Sequence, residues 1–206
     1  MNRDRSAHWD KVYGEKSDAD LSWHQDSPAV SLDLARLAGL SADWAVIDVG
    51  GGTSRFADRL IDLGVRDLTV VDLSRGALEA TRRRLGARGA GIGWVAADIT
   101  AWEPPRQYDL WHDRAVFHFL VEPGDREAYV DRLSRSLKGG GHAIIATFAP
   151  DGPETCSGLP VMRYSPESLG AVLGDRFELV AQRFDVHQTP RGRPQSFQFS
   201  LFRRAL

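Results

Sequence analysis

The stretch WAVIDVGGGTS, Trp44 to Ser54, decides how this chain is read. From Trp44 to Val49 it is an apolar run broken by one acid, Asp48, and three consecutive glycines stop it. A run so short and so apolar predicts a strand buried on both faces, the kind found in parallel sheets. Gly50, Gly51 and Gly52 then allow a tight turn and a close approach of backbone N–H groups to a ligand. A helix predicted over 53–63 would present its amino end to an anionic group. A βα turn can also carry glycine for packing alone, so the turn by itself does not specify a cofactor loop.

The same rhythm returns along the chain. DLTVVD (67–72), IGWVAAD (92–98), QYDLWHD (107–113) and GHAIIATF (141–148) read as further buried strands. Helix-like stretches lie between them at 75–85 and 125–137, and Gly64, Gly86 and Gly139 follow helices as terminators. The alternation predicts an α/β fold built of right-handed βαβ units, Rossmann-like, with a ligand crevice beyond the carboxyl ends of the strands. After a capped helix from Ser165, FELVAQRFDV (177–186) and QSFQFSLF (195–202) read as an antiparallel pair completing the sheet. SPAVSLDLARLAG (27–39) reads as a helix, preceded by an aromatic segment holding His8, Trp9, Tyr13, Trp23 and His24. Residues 1–40 are thus a packing arm, a lid over a site, or both.

Bulk properties narrow the function. With 206 residues, 42% hydrophobic, the chain suits one domain over 1–206. A formal net charge of -2 gives no global field for nucleic acid or an anionic membrane, so neither partner is expected, and oligomeric state stays open. The single cysteine, Cys156, excludes an intramolecular disulfide. No apolar run reaches transmembrane length, and MNRDRSAHWD lacks the apolar core of a secretory signal, so the expected location is cytoplasmic. His8, His112, His118, His142 and His187 with Cys156 show no HxH or CxxC spacing, and no metal site is expected.

Three strands end on acids. Asp48 precedes the glycines, Asp72 follows some twenty residues on where a carboxylate can accept from both ribose hydroxyls, and Asp98 closes the third run where it can face the amino edge of an adenine. With these residues the chain resembles the class I S-adenosylmethionine-dependent methyltransferases, whose first motif is DxGxGxG. Here it reads Asp48-Val49-Gly50-Gly51-Gly52-Thr53-Ser54, with Ser54 in place of the third spaced glycine and its side chain beside the methionine portion. The resemblance covers roughly 42–148. It implies a seven-stranded mixed sheet with an antiparallel last strand and helices on both faces, and S-adenosyl-L-methionine as cofactor, leaving S-adenosyl-L-homocysteine. Asp72, Leu73 and Ser74 would hold the ribose, and Asp98 and Ile99 the adenine. Tyr13, Trp23, His112 and Phe117 are further cofactor candidates. HWDKVY (8–13) and SWHQ (22–25) are nearer still to small methyltransferases that include lysine methyltransferases of elongation factor and citrate synthase.

Methyl transfer from a sulfonium needs an in-line nucleophile and exclusion of water, with no metal required. The residues expected to shape that site are His112, Asp113 and Arg114 at the end of the fourth strand. His112 is a base or a cofactor wall; Asp113 holds an amine, orients His112 or caps the next helix; Arg114 pairs with Asp113 or meets a substrate carboxylate. Trp9, His118, Cys156, Tyr164, His187 and Gln195 are expected on the substrate side, with the Gly- and Pro-rich loop 150–164 arching over it. The substrate is a small molecule or a protein side chain. Arg82, Arg83, Arg84 and Arg88 read as a solvated helix face. A dinucleotide oxidoreductase would share the glycine turn and Asp72, but the turn lacks GxGxxG spacing and no Tyr-x-x-x-Lys is present. A catalytically inactive binding protein of the same fold is the other alternative, and Ser54 is the feature that keeps it open.

Overall fold

A computed structural model describes residues 2–15 and 17–206. The chain opens with helices α1 (Asn2–Glu15) and α2 (Ala29–Leu37). It then alternates β1 (Ala45–Val49), α3 (Phe56–Asp62), β2 (Asp67–Asp72), α4 (Arg75–Leu85), β3 (Gly93–Ala96), β4 (Tyr108–Arg114), α5 (Pro123–Ser136) and β5 (Leu137–Phe148). A two-residue hairpin, β6 (Thr155–Cys156) and β7 (Leu159–Pro160), precedes α6 (Pro166–Leu173), β8 (Phe177–Gln188) and β9 (Pro194–Arg204). The seven long strands form one sheet in the order β3-β2-β1-β4-β5-β9-β8. β9 enters antiparallel between β5 and β8, while β1 to β5 pair in parallel.

The runs of β1, β2, β4 and β5 are strands because both of their faces are covered, whereas β3, expected to be buried, is an edge strand with no fully buried residue. Val46, Leu110, Ile144 and Leu201 turn to the layer holding α2 and α3, while Ile47, Trp111, Ile145 and Phe202 turn to the layer of α5 and α6. Neighbouring residues in each strand therefore enter opposite cores, which is why the runs lack polar alternation. α6 begins at Ser165, whose hydroxyl accepts from Ser168 N–H while the Ser168 hydroxyl accepts from Ser165 N–H.

Gly139 departs from its predicted role as a helix terminator. α5 ends at Ser136, and Leu137, fully buried, already has extended backbone and opens β5. The register then jumps from Tyr108↔Leu137 to Leu110↔His142, so Lys138 to Gly141 form a bulge. Gly140 there has φ +76°, which only glycine adopts cheaply.

One buried chain of hydrogen bonds ties the end of β4 to α5. Trp111 Nε1–H donates to the Tyr129 hydroxyl at 2.8 Å, and that hydroxyl donates to Asp113 at 2.6 Å. Burial pushes the Asp113 carboxyl up to about 6, against the pull of Tyr129 and the backbone N–H groups of Val116 and Phe117. Because this value lies above the ordinary one, the group's contribution to stability falls as pH rises from about 4 to about 6. Tyr129→Phe removes the carboxylate's donor and leaves the Trp111 N–H unpaired. Urea denaturation is expected to show a loss of about 1–3 kcal/mol, larger at pH 8 than at pH 5, and an equal loss at both would contradict this reading.

Candidate functional site

A cavity of about 240 Å³ opens beyond the carboxyl ends of the parallel strands. Val49 and Gly50 at the end of β1, Asp72 and Leu73 at the end of β2, Asp98 and Ile99 after β3, and Arg114 to Val116 at the end of β4 line it. Trp9, Tyr13 and Trp23 from the amino-terminal segment, Cys156, Leu159 and Pro160 of the hairpin, and Gln195 and Phe197 of β9 complete its lining.

The glycine turn is shaped by what lies under and over it. Gly50 has φ +68°, and a Cβ there would stand 2.0 Å from Val116 Cγ2. A Cβ on Gly51 would meet Val70 at 2.6 Å and Asp48 Oδ2 at 2.7 Å, and one on Gly52 would meet the Tyr13 hydroxyl at 2.6 Å and Asp72 at 2.9 Å. Gly50 reaches the cavity wall; Gly51 lets the turn lie flat on Asp48, and Gly52 leaves room for the Tyr13 hydroxyl and Asp72, both of which line the cavity. Ser54, expected beside the methionine portion, lies outside the cavity lining: its hydroxyl accepts at 3.0 Å from the N–H of Phe56, the first residue of α3. Its departure from the glycine pattern therefore puts no side chain into the cavity.

Asp72 is buried, and desolvation pushes its carboxyl up to about 7, against backbone N–H groups of Ser74 and Gly52 and with Asp48 and Asp10 raising it further. Ser74 caps α4 by accepting from Ala77 N–H, and its own hydroxyl donates to Asp10 of α1 at 2.6 Å. α1 is tied a second time by Ser6, whose hydroxyl donates to Leu73 O at 3.1 Å. The amino-terminal helix thus lies across the end of β2. Asp98 lines the cavity while accepting from Thr100 N–H and Oγ1–H.

The expected trio His112, Asp113, Arg114 is divided by the strand pleat. His112 lies outside the cavity: its Nδ1–H donates to Asp48 Oδ1 at 2.7 Å, Nε2 meets Ser31 Oγ at 2.9 Å, and the ring stacks on Phe56 at 3.8 Å. Asp113, also outside, turns the other way and accepts from Val116 and Phe117 N–H, the capping role among its alternatives. Neither is placed to touch a ligand. Arg114 alone enters the cavity and does not pair with Asp113; its Nη1–H donates to Trp23 O at 2.9 Å and its guanidinium lies 4.9 Å from the Phe197 ring centre.

The substrate-side expectations also divide. Trp9, His118, Cys156 and Gln195 line the cavity. Tyr164 and His187 do not, nor does the cofactor candidate Phe117: Phe117 and Tyr164 pack together in the α5 and α6 layer, and His187 Nε2–H donates to Ser22 O at 2.8 Å. Sequence reading passed over three contributors. Phe119 stacks edge-on against Trp9 at 5.1 Å, Asp10 anchors α1, and Arg84 holds the glycine turn from outside by donating to Thr53 O, Ser54 O and Asp58. Arg84 is therefore no solvated-face residue, and its signal is its position three residues after buried Thr81 and one before buried Leu85.

These features fit the nucleoside and amino-acid ends of S-adenosylmethionine. A buried carboxylate, Asp72, lines the cavity, and Asp48 Oδ2 lies buried under the turn without a hydrogen-bond partner among the described residues. Among those residues no group of acids, histidines and cysteine has metal-holding geometry, and no helix is long and apolar enough to cross a membrane.

Residues 46–141 match the family described as Methyltransferase domain. The chain is 34% identical over 120 residues to trans-aconitate 2-methyltransferase of Rhizobium rhizogenes, covering 58% of this chain and 43% of that protein. It is 31% identical over 104 residues to malonyl-[acyl-carrier protein] O-methyltransferase of Anoxybacillus flavithermus, covering 50% and 38% respectively. The chain thus spans about two fifths of the length of these curated relatives. Its fold matches that of Burkholderia thailandensis 1,6-didemethyltoxoflavin-N1-methyltransferase, solved with 1,6-didemethyltoxoflavin and S-adenosylhomocysteine, at a TM-score of 0.77 and 18% identity, over 100% of this chain and 91% of that one. Residues 46–141 thus match the Methyltransferase domain family, and the sheet order and acidic strand ends around them are in keeping with that match.

Proposed function

We propose that this chain transfers the methyl group of S-adenosylmethionine to a small molecule. The observation that carries this is the enclosure of the cavity on its acceptor side. Trp9, Trp23 and Phe119 interlock at ring distances of 5.1–5.7 Å, and Cys156, Leu159 and Pro160 of the β6-β7 hairpin line the same cavity. A protein side chain would ask for an open groove. The residues that resemble protein lysine methyltransferases, HWDKVY and SWHQ, supply Trp9, Tyr13 and Trp23 to this wall, and so favour a small acceptor. The relatives named for trans-aconitate and malonyl-[acyl-carrier protein] support the same choice. In this reading residues 1–206 work as one domain, with 1–40 as the lid and 150–164 as the substrate-side wall.

The bound cofactor supplies an electrophilic methyl on a sulfonium. The chain supplies position and dryness: Asp72 would accept from ribose hydroxyls, Asp98 and Ile99 would face the adenine, and Gly50 would admit the methionine end. The apolar wall then excludes water from the reacting centre. Calorimetric titration tests this directly, with S-adenosylhomocysteine binding and NAD giving no signal; binding of NAD alone would favour the oxidoreductase reading.

Two further outcomes follow from the geometry. Asp72 accepts best when ionised, so affinity for S-adenosylhomocysteine is expected to hold at pH 8 and weaken as pH falls through about 7 toward 6. Asp72→Asn should abolish that pH dependence and weaken binding by roughly ten- to a hundredfold. Gly50→Ala, strained by its positive φ and by Val116, is expected to lose more than about tenfold in affinity while circular dichroism shows the fold retained.

A further inference from the structure

Arg114 is the side chain the proposed function leaves unused. Its guanidinium enters the cavity from the end of β4, and only Nη1 is satisfied, by Trp23 O. Nε and Nη2 are buried and have no hydrogen-bond partner among the described residues. These two N–H groups form the side-on edge of the guanidinium, whose spacing matches the two oxygens of a carboxylate. Burying such an edge unpaired costs free energy that a ligand can recover.

A second unpartnered donor stands in the same wall. His118, fully buried, accepts from Phe148 N–H at its Nδ1, which places the ring proton on Nε2, and Nε2 has no hydrogen-bond partner among the described residues. Burial and the neighbouring Arg114 charge push its pKa down to about 3, so it is a neutral donor. Burial lowers Arg114 only to about 10, and it stays charged at neutral pH. Asp185 is close enough to favour that charge but forms no ion pair with it within 4.0 Å among the described residues.

Arg114 also leans the right way. Asp72 and Asp98 lie over β2 and β3, at the far side of β1, whereas Arg114 lies against Phe197 of β9 and beside His118. That is the half of the cavity closed by the hairpin.

Resting on the methyltransferase reading, we infer that Arg114 and His118 form an anion subsite that selects acceptors bearing a carboxylate, held side-on by Arg114 Nε and Nη2. A carboxylate could also come from the cofactor's own methionine end, and the test separates the two sources. S-adenosylhomocysteine-loaded protein is screened by ligand-observed NMR against matched pairs of small aromatic and aliphatic acids and their primary amides. Hits are expected among the acids and not the amides. Arg114→Met should weaken the best acid by roughly ten- to a hundredfold with S-adenosylhomocysteine affinity within about threefold of the parent. Arg114→Lys, which keeps charge and bulk but not the fork, should retain part of the binding and guards against simple misfolding. Equal binding of amides, no acid among the hits, or acid binding unchanged in Arg114→Met would overturn the subsite. Loss of S-adenosylhomocysteine binding in folded Arg114→Met would assign the guanidinium to the cofactor instead. Failure of the parent to bind S-adenosylhomocysteine would strike the methyltransferase reading itself.

Discussion

The carboxylate of Asp48 is buried beneath its own glycine turn, and the geometry of the cofactor end follows from where its oxygens go. Oδ1 is fixed by His112 from the adjacent strand, and Oδ2 lies so close under Gly51 that a methyl group there would come within 2.7 Å of it. A buried acid is costly unless partnered. His112, held in turn by Ser31 and Phe56, supplies that partner and locks the ends of β1 and β4 side by side. The turn can then lie flat, with Val116 packed against Gly50 and Arg84 gripping it from the outer face.

From that platform the two halves of the cavity separate by chemistry. Over β2 and β3 stand acids: Asp72 and Asp98, with Asp10 brought in by α1. On the other side of β4 stand Arg114, neutral His118 and apolar walls. Hydroxyl and amine donors of a cofactor would find acceptors among the acids, whereas the donors Arg114 and His118 suit an anionic group and not a cationic sulfonium. α1 belongs to both halves: Asp10 and Ser6 bind it to the end of β2, while Trp9 faces Phe119.

The first strands and the acids at their ends were legible because the runs are short and apolar and carry Asp48, Asp72 or Asp98 at or next to their carboxyl ends. The antiparallel pair was legible because its two runs are joined by RGRP. What the sequence could not convey was which way polar residues inside a doubly covered strand turn. His112 and Asp113 look like site residues by adjacency, yet the pleat sends one toward α2 and α3 and the other toward α5, leaving Arg114 as the side chain that clears the edge. Gly139 misled for a related reason: Leu137 is needed in the core, so the helix gives way to a strand before the glycine is reached. Arg84 was hidden inside a run of like residues of which it alone holds the glycine turn.

The central claim is that the glycine turn, the acidic strand ends and the amino-terminal helix form one enclosed cofactor site. Hydrogen–deuterium exchange of the whole chain with and without S-adenosylhomocysteine tests it most directly. The account predicts slower exchange on binding in the turn 49–54, at 72–74 and 97–99, and in α1, with α6 on the far side of the sheet unchanged. Unaltered exchange at 49–54 and 72–74 with saturating ligand would contradict it.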